Sequence, residues 1–165
     1  MVGERSSVEP VFIVDVNAGK LARWLRLIGY DTLLFREQDD GVMVKIALRE
    51  NRVILTKDSE ILKRRLVTGG KIKVIHLESD VTKTQLQQVA RTLHLDLQLN
   101  PFSRCLECNE PLVERGREDV RNLVPPHVYK TQTHYMQCPL CQRVYWRGTH
   151  WQAMCRQIKS LQANN

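Results

Sequence analysis

Short apolar segments alternate with longer amphipathic segments over the first hundred residues of the chain. The apolar segments predict four strands, at residues 11–14, 32–35, 52–56 and 71–77. The amphipathic segments predict four helices, at residues 17–30, 40–50, 59–66 and 82–94. Gly29 is the stop signal of the first helix. Strands that alternate with helices are typical of a mostly parallel sheet with helices on both faces, so we expect an α/β fold.

The pattern changes near residue 97. From Pro101 onward the helical and strand periodicities fade, and cysteines, prolines and aromatic residues accumulate. We therefore predict two domains, residues 1–100 with the α/β sheet and residues 101–165 with a different, smaller architecture.

The composition narrows the possible classes of protein. The chain has 165 residues of which 42% are hydrophobic, enough for one good core or a core with a small appendage. It lacks a run of about 18 apolar residues, and its first ten residues have no apolar signal core, so we expect a cytoplasmic protein without a membrane span. The net charge of +7 favours a polyanionic partner such as nucleic acid, although an ordinary basic protein has the same signature.

Two CxxC pairs dominate the second part. Cys105 and Cys108 form the first pair, and Cys138 and Cys141 form the second after 29 intervening residues. Each pair is typical of a tight turn that directs two thiolates to one point, and two such turns supply the four sulfurs of a structural Zn²⁺ site. Two redox motifs and an iron–sulfur cluster are the alternatives. Cys155 is left over and is predicted to lie in a helix with no metal role.

Aspartates stand at the junctions between strands and helices. Asp15 and Asp58 directly follow predicted strands, and Asp40 stands at the start of a helix, where it is also a candidate cap. In a parallel sheet such junctions share one edge, where carboxylate oxygens can bind a divalent cation such as Mg²⁺. Asp39 and Asp80 are weaker candidates for the same site. Because aspartate is a favoured helix N-cap, capping is an equally good explanation of each position.

Several motifs, taken in order, resemble one known family. The runs VDVNAGKLARWLRLIGYDT, RVILTKDSEIL, RCLECNEPL and CPLCQRVYWRGTH are similar to the C-terminal RNase domain of Mut-7 proteins over about residues 11 to 152. The resemblance implies a PIN-like nuclease fold followed by a zinc ribbon with four cysteine ligands, and a ribonuclease that depends on Mg²⁺ or Mn²⁺. By position, Asp15 would be the metal ligand after the first strand, Asp40 the acid of the middle helix, and Asp58 the acid of a TxD element.

One departure from the family pattern supports a rival hypothesis. Where relatives tend to have further acidic residues after the Asp40 position, this chain has Gly41 and Val42. The alternative is therefore a non-catalytic module with a degenerate PIN-like site that binds RNA or a protein partner. A small redox protein that uses its CxxC pairs is a third possibility.

Basic and aromatic residues supply candidates for RNA binding. Lys20, Arg23 and Arg26 are predicted on the polar side of the first helix, where they would meet phosphates or only solvent. Residues 63–65 form a further basic cluster. Arg147 and His150 lie in the aromatic segment VYWRGTHW, a mixture that single-stranded RNA-binding proteins use for stacking, although Trp146 is better explained as core of the ribbon.

Overall fold

The computed structural model describes residues 8–162, and its first half is built on four parallel strands. They are β1 (Phe12–Asp15), β2 (Thr32–Phe35), β3 (Val53–Thr56) and β4 (Val74–His76), in the order β2-β1-β3-β4. Val14 of the central strand β1 is aligned with Leu34 on one side and with Leu55 on the other. The predicted α/β fold with a parallel sheet is confirmed. The expectation about the first ten residues of the chain falls largely on 1–7, which lie outside the described residues.

Four helices follow these strands: α1 (Gly19–Ile28), α2 (Asp40–Glu50), α3 (Arg65–Thr68) and α4 (Thr82–Leu93). The first predicted helix begins later than expected because Val16–Ala18 forms a 3-10 turn. The helix predicted over 59–66 is divided, since Arg64 adopts an extended backbone between the 3-10 turn Ser59–Lys63 and α3. Strand β4 is shorter than expected because the N–H groups of Lys71 and Ile72 donate to the Leu66 carbonyl in a turn.

The sheet is covered on both faces because alternate residues of its strands point to opposite sides. Phe12 and Val14 of β1 pack with α1 and α4, whereas Ile13 between them packs with α2. Both faces are apolar, as expected for parallel strands covered by helices. All three side chains are buried, so the sheet lies at the centre of the fold.

Gly29 ends α1 as predicted. Its backbone is left-handed, with φ of 112°, and its N–H bonds to the carbonyls of Leu25 and Arg26. A Cβ at this position would lie 2.5 Å from the Asn100 carbonyl oxygen. Glycine is therefore required both by the turn and by the close approach of residue 100 to the end of α1.

The second part of the chain contains a small antiparallel sheet. Its strands are β5 (Val113–Arg115), β6 (Tyr135–Gln137) and β7 (Val144–Tyr145), with α5 (Pro126–Thr131) between the first two. Val120, Val128 and Tyr135 are buried in a core of its own, against which Trp146 packs as predicted. We call residues 103–146 the cysteine module, because both CxxC pairs lie within it.

The last helix, α6 (Thr149–Gln162), returns to the parallel sheet. Its Ile158 and Leu161 are buried in the same cluster as Phe12 and Leu21, and Trp151 packs at the edge of that cluster. Residues beyond position 101 therefore complete the core of the first part, and the division at residue 100 stays a prediction. Cys155 lies in this helix, as expected. Among residues 8–162, no helix has the length and apolar character that crossing a membrane requires.

Candidate active site

Thr56 connects two of the predicted acidic residues at the carboxyl ends of the central strands. Its hydroxyl donates to Asp15 Oδ2 at 3.2 Å and accepts a hydrogen bond of 3.0 Å from the Asp58 N–H. The Thr56 side chain is completely buried, so these contacts hold the end of β1 against the segment that follows β3. Asp15 and Asp58 thus lie at one edge of the sheet, as predicted from their place after parallel strands.

Asp40 belongs to the same electrostatic environment. Burial raises the pKa of Asp40; Asp58 raises it further through its charge and through side-chain contact, Asp15 adds a smaller increase, and Arg64 opposes them. The charges of Asp15 and Asp58 both act on Asp40, so the three carboxylates share one electrostatic environment at this edge of the sheet. Asp15, Asp40 and Asp58 come from three separate strand-to-helix junctions and converge there. We call these three residues the acidic edge.

The capping explanation holds for part of this set. Asp15 Oδ1 accepts from the Asn17 N–H at 3.1 Å, and Asp58 Oδ1 accepts from the Glu60 N–H at 2.8 Å. Asp39, rather than Asp40, caps α2, with its Oδ1 2.7 Å from the Gly41 nitrogen. Caps engage one oxygen of each carboxylate, and Asp58 also contacts the Asp40 side chain.

The remaining acidic candidate, Asp80, is paired with a lysine. It follows β4, and its exposed carboxylate forms an ion pair with the Lys57 ammonium group. Its assignment as a fourth acidic ligand stays a prediction.

The four cysteines of the two CxxC pairs converge on one point. One ligand atom from each of Cys105, Cys108, Cys138 and Cys141 lies within 4.8 Å of the others. Cys105 Sγ and Cys141 Sγ are 3.7 Å apart, close to the edge of about 3.8 Å of a tetrahedron with Zn–S distances of about 2.3 Å. Among residues 8–162, this is the one group of three or more metal-ligating side chains so closely gathered, and it could bind zinc.

Tyr145 contacts this cysteine cluster directly. Its hydroxyl lies 3.1 Å from Cys105 Sγ and accepts a hydrogen bond of 3.2 Å from the Leu106 N–H. Burial raises the pKa of the Cys105 thiol, but hydrogen bonds from Tyr145 and from the Cys108 backbone outweigh it and lower the pKa to about 7. A lowered pKa favours the thiolate, which is the form that binds metals. Within the predicted aromatic segment, Tyr145 therefore belongs to the cysteine cluster.

The cysteine module is fastened to the parallel sheet through Arg26. This arginine was expected on the polar side of the first helix, but it is only 4% exposed. Its guanidinium donates to the carbonyls of Thr32, Leu106 and Glu107 at 2.8 to 3.0 Å. Helical periodicity placed Arg26 wrongly. Two of the carbonyl groups that accept its hydrogen bonds lie 80 or more residues away along the chain, beyond the reach of a local pattern.

The candidate RNA-binding residues fall into two places. Lys20, Arg23 and His150 surround one groove between α1 and α6. Arg147 lies elsewhere, with its guanidinium 5.2 Å from the centre of the Phe102 ring. In the basic cluster over 63–65, Lys63 pairs with Glu60 and Arg64 lies beside the start of α2.

Sequence reasoning missed the contacts through which several residues organise these sites. The role of Thr56 was visible in the TxD element, because a threonine hydroxyl two residues before an aspartate can accept a hydrogen bond from the backbone N–H of that aspartate. Arg64 and Tyr145 had no comparable local signal. Their partners, Asp40 and Cys105, are distant in sequence and are brought near by the fold.

The fold and these sites define an α/β protein with a parallel four-stranded sheet, joined to a small antiparallel module whose cysteines could bind zinc. The chain belongs to the Mut7-C RNAse domain family, since the family model matches residues 10–158. No curated protein and no solved structure gives a significant match. The family resemblance inferred from the sequence is thereby confirmed. Membership implies a ribonuclease-like function, with RNA as the class of partner.

Proposed function

We propose that this protein is a ribonuclease with a PIN-like catalytic site, in which Asp15, Asp40 and Asp58 bind Mg²⁺ or Mn²⁺. The observation that carries the proposal is the convergence of three carboxylates from three strand-to-helix junctions on one edge of a parallel sheet. Ligands bind preferentially at this edge in α/β proteins. Membership of an RNase domain family supplies the class of reaction.

The donor set fits a hard divalent cation. Carboxylate oxygens are the ligands that Mg²⁺ and Mn²⁺ prefer, and a cation would relieve the repulsion that adds to burial in raising the pKa of Asp40. The chemistry that such an ion supplies is neutralisation of charge on the phosphate and activation of a water nucleophile. Hydrolysis in this scheme would leave the 3′-oxygen of the RNA as the leaving group.

The residues around the acidic edge would hold its carboxylates in place for this reaction. The Thr56 hydroxyl and the Asn17 N–H fix the two oxygens of Asp15, and the Glu60 N–H fixes one oxygen of Asp58. Groups held by buried and backbone donors lose little freedom when they bind a ligand, which favours catalysis. Arg64 supplies a positive charge near Asp40.

The four cysteines would bind a structural zinc ion that stabilises the cysteine module. All four positions of a tetrahedral ion would be occupied by thiolates, so zinc would have no open position for substrate. The module would then position RNA relative to the acidic edge, because Arg26 and Asn109 fasten it to the sheet. Zinc thiolates of this kind fit the reducing compartment that a cytoplasmic location would provide.

The test is cleavage of an end-labelled RNA pool by the purified zinc-loaded protein with added Mn²⁺. We expect cleavage by the unchanged protein and a loss of about 100-fold or more, on the order expected for a lost metal ligand, in Asp15→Asn and Asp58→Asn. Asp96→Asn is the matched control. Like Asp15 and Asp58, the Asp96 carboxylate accepts a hydrogen bond, of 2.8 Å, from the backbone N–H two residues later. Asp96 follows α4, however, and lies outside the acidic edge.

The outcomes separate the proposal from its rival. Cleavage that survives both substitutions, or an equal loss in Asp96→Asn, would contradict an active site at the acidic edge. Retention of RNA by the folded protein without any cleavage would favour the non-catalytic binding module. Gly41 and Val42, at positions where relatives tend to be acidic, are the feature that this rival would explain.

A further inference from the structure

A groove of about 290 Å³ runs between the first and last long helices. Lys20, Arg23 and Trp24 line it from α1, spaced so that they share one side of the helix. His150 and Met154 line it from α6, four residues apart. The groove exists only in the folded chain, because its two walls are more than a hundred residues apart in sequence.

The rim of the groove is positively charged. Lys20 is exposed and has no hydrogen bond or ion pair to another residue within 8–162. Arg23 pairs with Glu107 at 2.6 Å, and Glu107 also lies 3.3 Å from Arg143. Two arginines therefore share one carboxylate, and that trio retains a net positive charge beside Lys20. Such a rim attracts an anionic ligand.

The floor of the groove is apolar and aromatic. Trp24 and Met154 are half-buried, and both pack against the core between α1 and the parallel sheet. A tryptophan beside cationic side chains offers a nucleobase a stacking surface while the cations meet its phosphate. Single-stranded RNA presents both of these parts at every nucleotide.

We infer that this groove binds a nucleotide of single-stranded RNA, with its phosphate at Lys20 and Arg23 and its base against Trp24 and Met154. The inference rests on the proposed function, since it takes RNA as the ligand, and it adds the path that the strand follows. Helix α1 starts after the 3-10 turn that Asp15 caps, so Lys20 lies in the first helical turn beyond the acidic edge. RNA in the groove would continue along α1 toward Asp15.

The binding test compares two charge reversals in an Asp58→Asn background without added divalent ions, so that no RNA is cleaved. Fluorescence anisotropy measures the affinity for a labelled oligouridine in Lys20→Glu and Lys45→Glu. Lys45 is the control because it is exposed on α2, which packs on the opposite face of the sheet. We expect about tenfold weaker binding in Lys20→Glu than in Lys45→Glu. For Lys20→Ala, we expect the slope of log affinity against log salt to fall by about one.

A second measurement locates the strand directly. Oligouridine that carries 4-thiouridine is photo-crosslinked to the unchanged protein, and we expect the adducts in peptides of α1 and α6. Equal losses of oligouridine affinity in Lys20→Glu and Lys45→Glu would overturn the groove assignment. Crosslinked adducts confined to other segments would overturn it as well. Cleavage that depends on Asp58 with no effect of Lys20→Glu would reject the groove and leave the ribonuclease proposal standing. Binding in the groove without cleavage under Mn²⁺ would support the groove assignment and contradict the ribonuclease proposal.

Discussion

The side-chain amide of Asn109 donates a hydrogen bond of 2.8 Å to the Asp31 carboxylate, 78 residues earlier in the chain. The same side chain accepts a bond of 2.9 Å from the Thr32 N–H at the start of β2. Asn109 directly follows Cys108, and its left-handed backbone, with φ of 69°, suits asparagine better than most residues. One residue therefore joins the first CxxC turn to the parallel sheet.

Replacing Asn109 by alanine should destabilise the whole protein. Asn109→Ala leaves the buried Thr32 N–H without its acceptor, which costs about 1–3 kcal/mol in the free energy of unfolding. Urea denaturation of the zinc-loaded protein measures the change. Asn51→Ala is the control, since Asn51 also has a left-handed backbone, with φ of 53°, but is exposed at the end of α2. An equal loss in both variants would show that backbone conformation, rather than docking, explains the effect.

Stability should depend on the ionisation of Asp31. Burial raises the pKa of Asp31, but hydrogen bonds from Arg52 and Asn109 and the charge of Arg52 outweigh it, so the net pKa is lowered. A lowered pKa in the folded state stabilises the protein above the unfolded pKa of about 4, and this stabilisation is lost as the pH falls through the folded value.

The free energy of unfolding of the unchanged protein should therefore fall more steeply below about pH 4 than that of Asp31→Asn. Urea unfolding of the two proteins at matched pH values between about 3 and 6 measures the difference. Measuring the zinc content of both proteins at each pH separates loss of the metal from the ionisation of Asp31. A constant difference across this range would contradict the assigned shift.

Removing the Tyr145 hydroxyl should weaken zinc binding. Tyr145→Phe abolishes the contact of 3.1 Å to Cys105 Sγ while keeping the ring. Loss of a hydrogen bond to a metal ligand typically lowers metal affinity by about 10- to 100-fold. Competition with a chromogenic chelator measures the zinc affinity of the folded protein. Tyr129→Phe is the matched control, because the Tyr129 hydroxyl donates to Glu118 instead of a cysteine. Unchanged affinity in Tyr145→Phe would show that the contact does not serve the metal.

Thr56→Val should reduce RNA cleavage more than it reduces stability. The substitution keeps the shape of the buried side chain but removes its bonds to Asp15 and Asp58. We expect a loss of about tenfold in kcat, because small displacements of catalytic groups are costly. Thr32→Val is the control, since Thr32 is equally buried in the same sheet, on β2, but its hydroxyl bonds to the Tyr30 carbonyl. Similar kcat losses in the two variants would point to a general packing effect.

Local pattern was enough to predict much of the fold. The helix Asp40–Glu50 was predicted with its observed bounds, and the strand Thr32–Phe35 likewise. Boundaries were wrong where short-range hydrogen bonds competed with the periodic pattern. The turn capped by Asp15 delayed the first helix, and the extended backbone of Arg64 divided the helix over 59–66. Such local bonds are not encoded in the spacing of apolar residues.

The candidate sites likewise combine features that local spacing predicted with contacts that it did not. Spacing predicted that the four cysteines would gather, because each CxxC turn is a local structure that needs only one further contact to meet the other. The place of Asp15 and Asp58 after parallel strands predicted a shared edge. Spacing did not predict that Arg23 would pair with Glu107, because that partner belongs to the cysteine module.

By itself the sequence determined the strand and helix segments, the two CxxC turns and the family to which the chain belongs. Each of these depends on residues that are near one another in the chain, where periodicity and turn preferences act. Tertiary structure alone decided that Arg26 is buried, that Asn109 contacts Asp31, and that α1 and α6 form a groove. The contact between Asn109 and Asp31 joins residues 78 positions apart, and the other two span longer separations. They arise only when burial of the apolar core brings distant segments together and buried polar groups must find partners there.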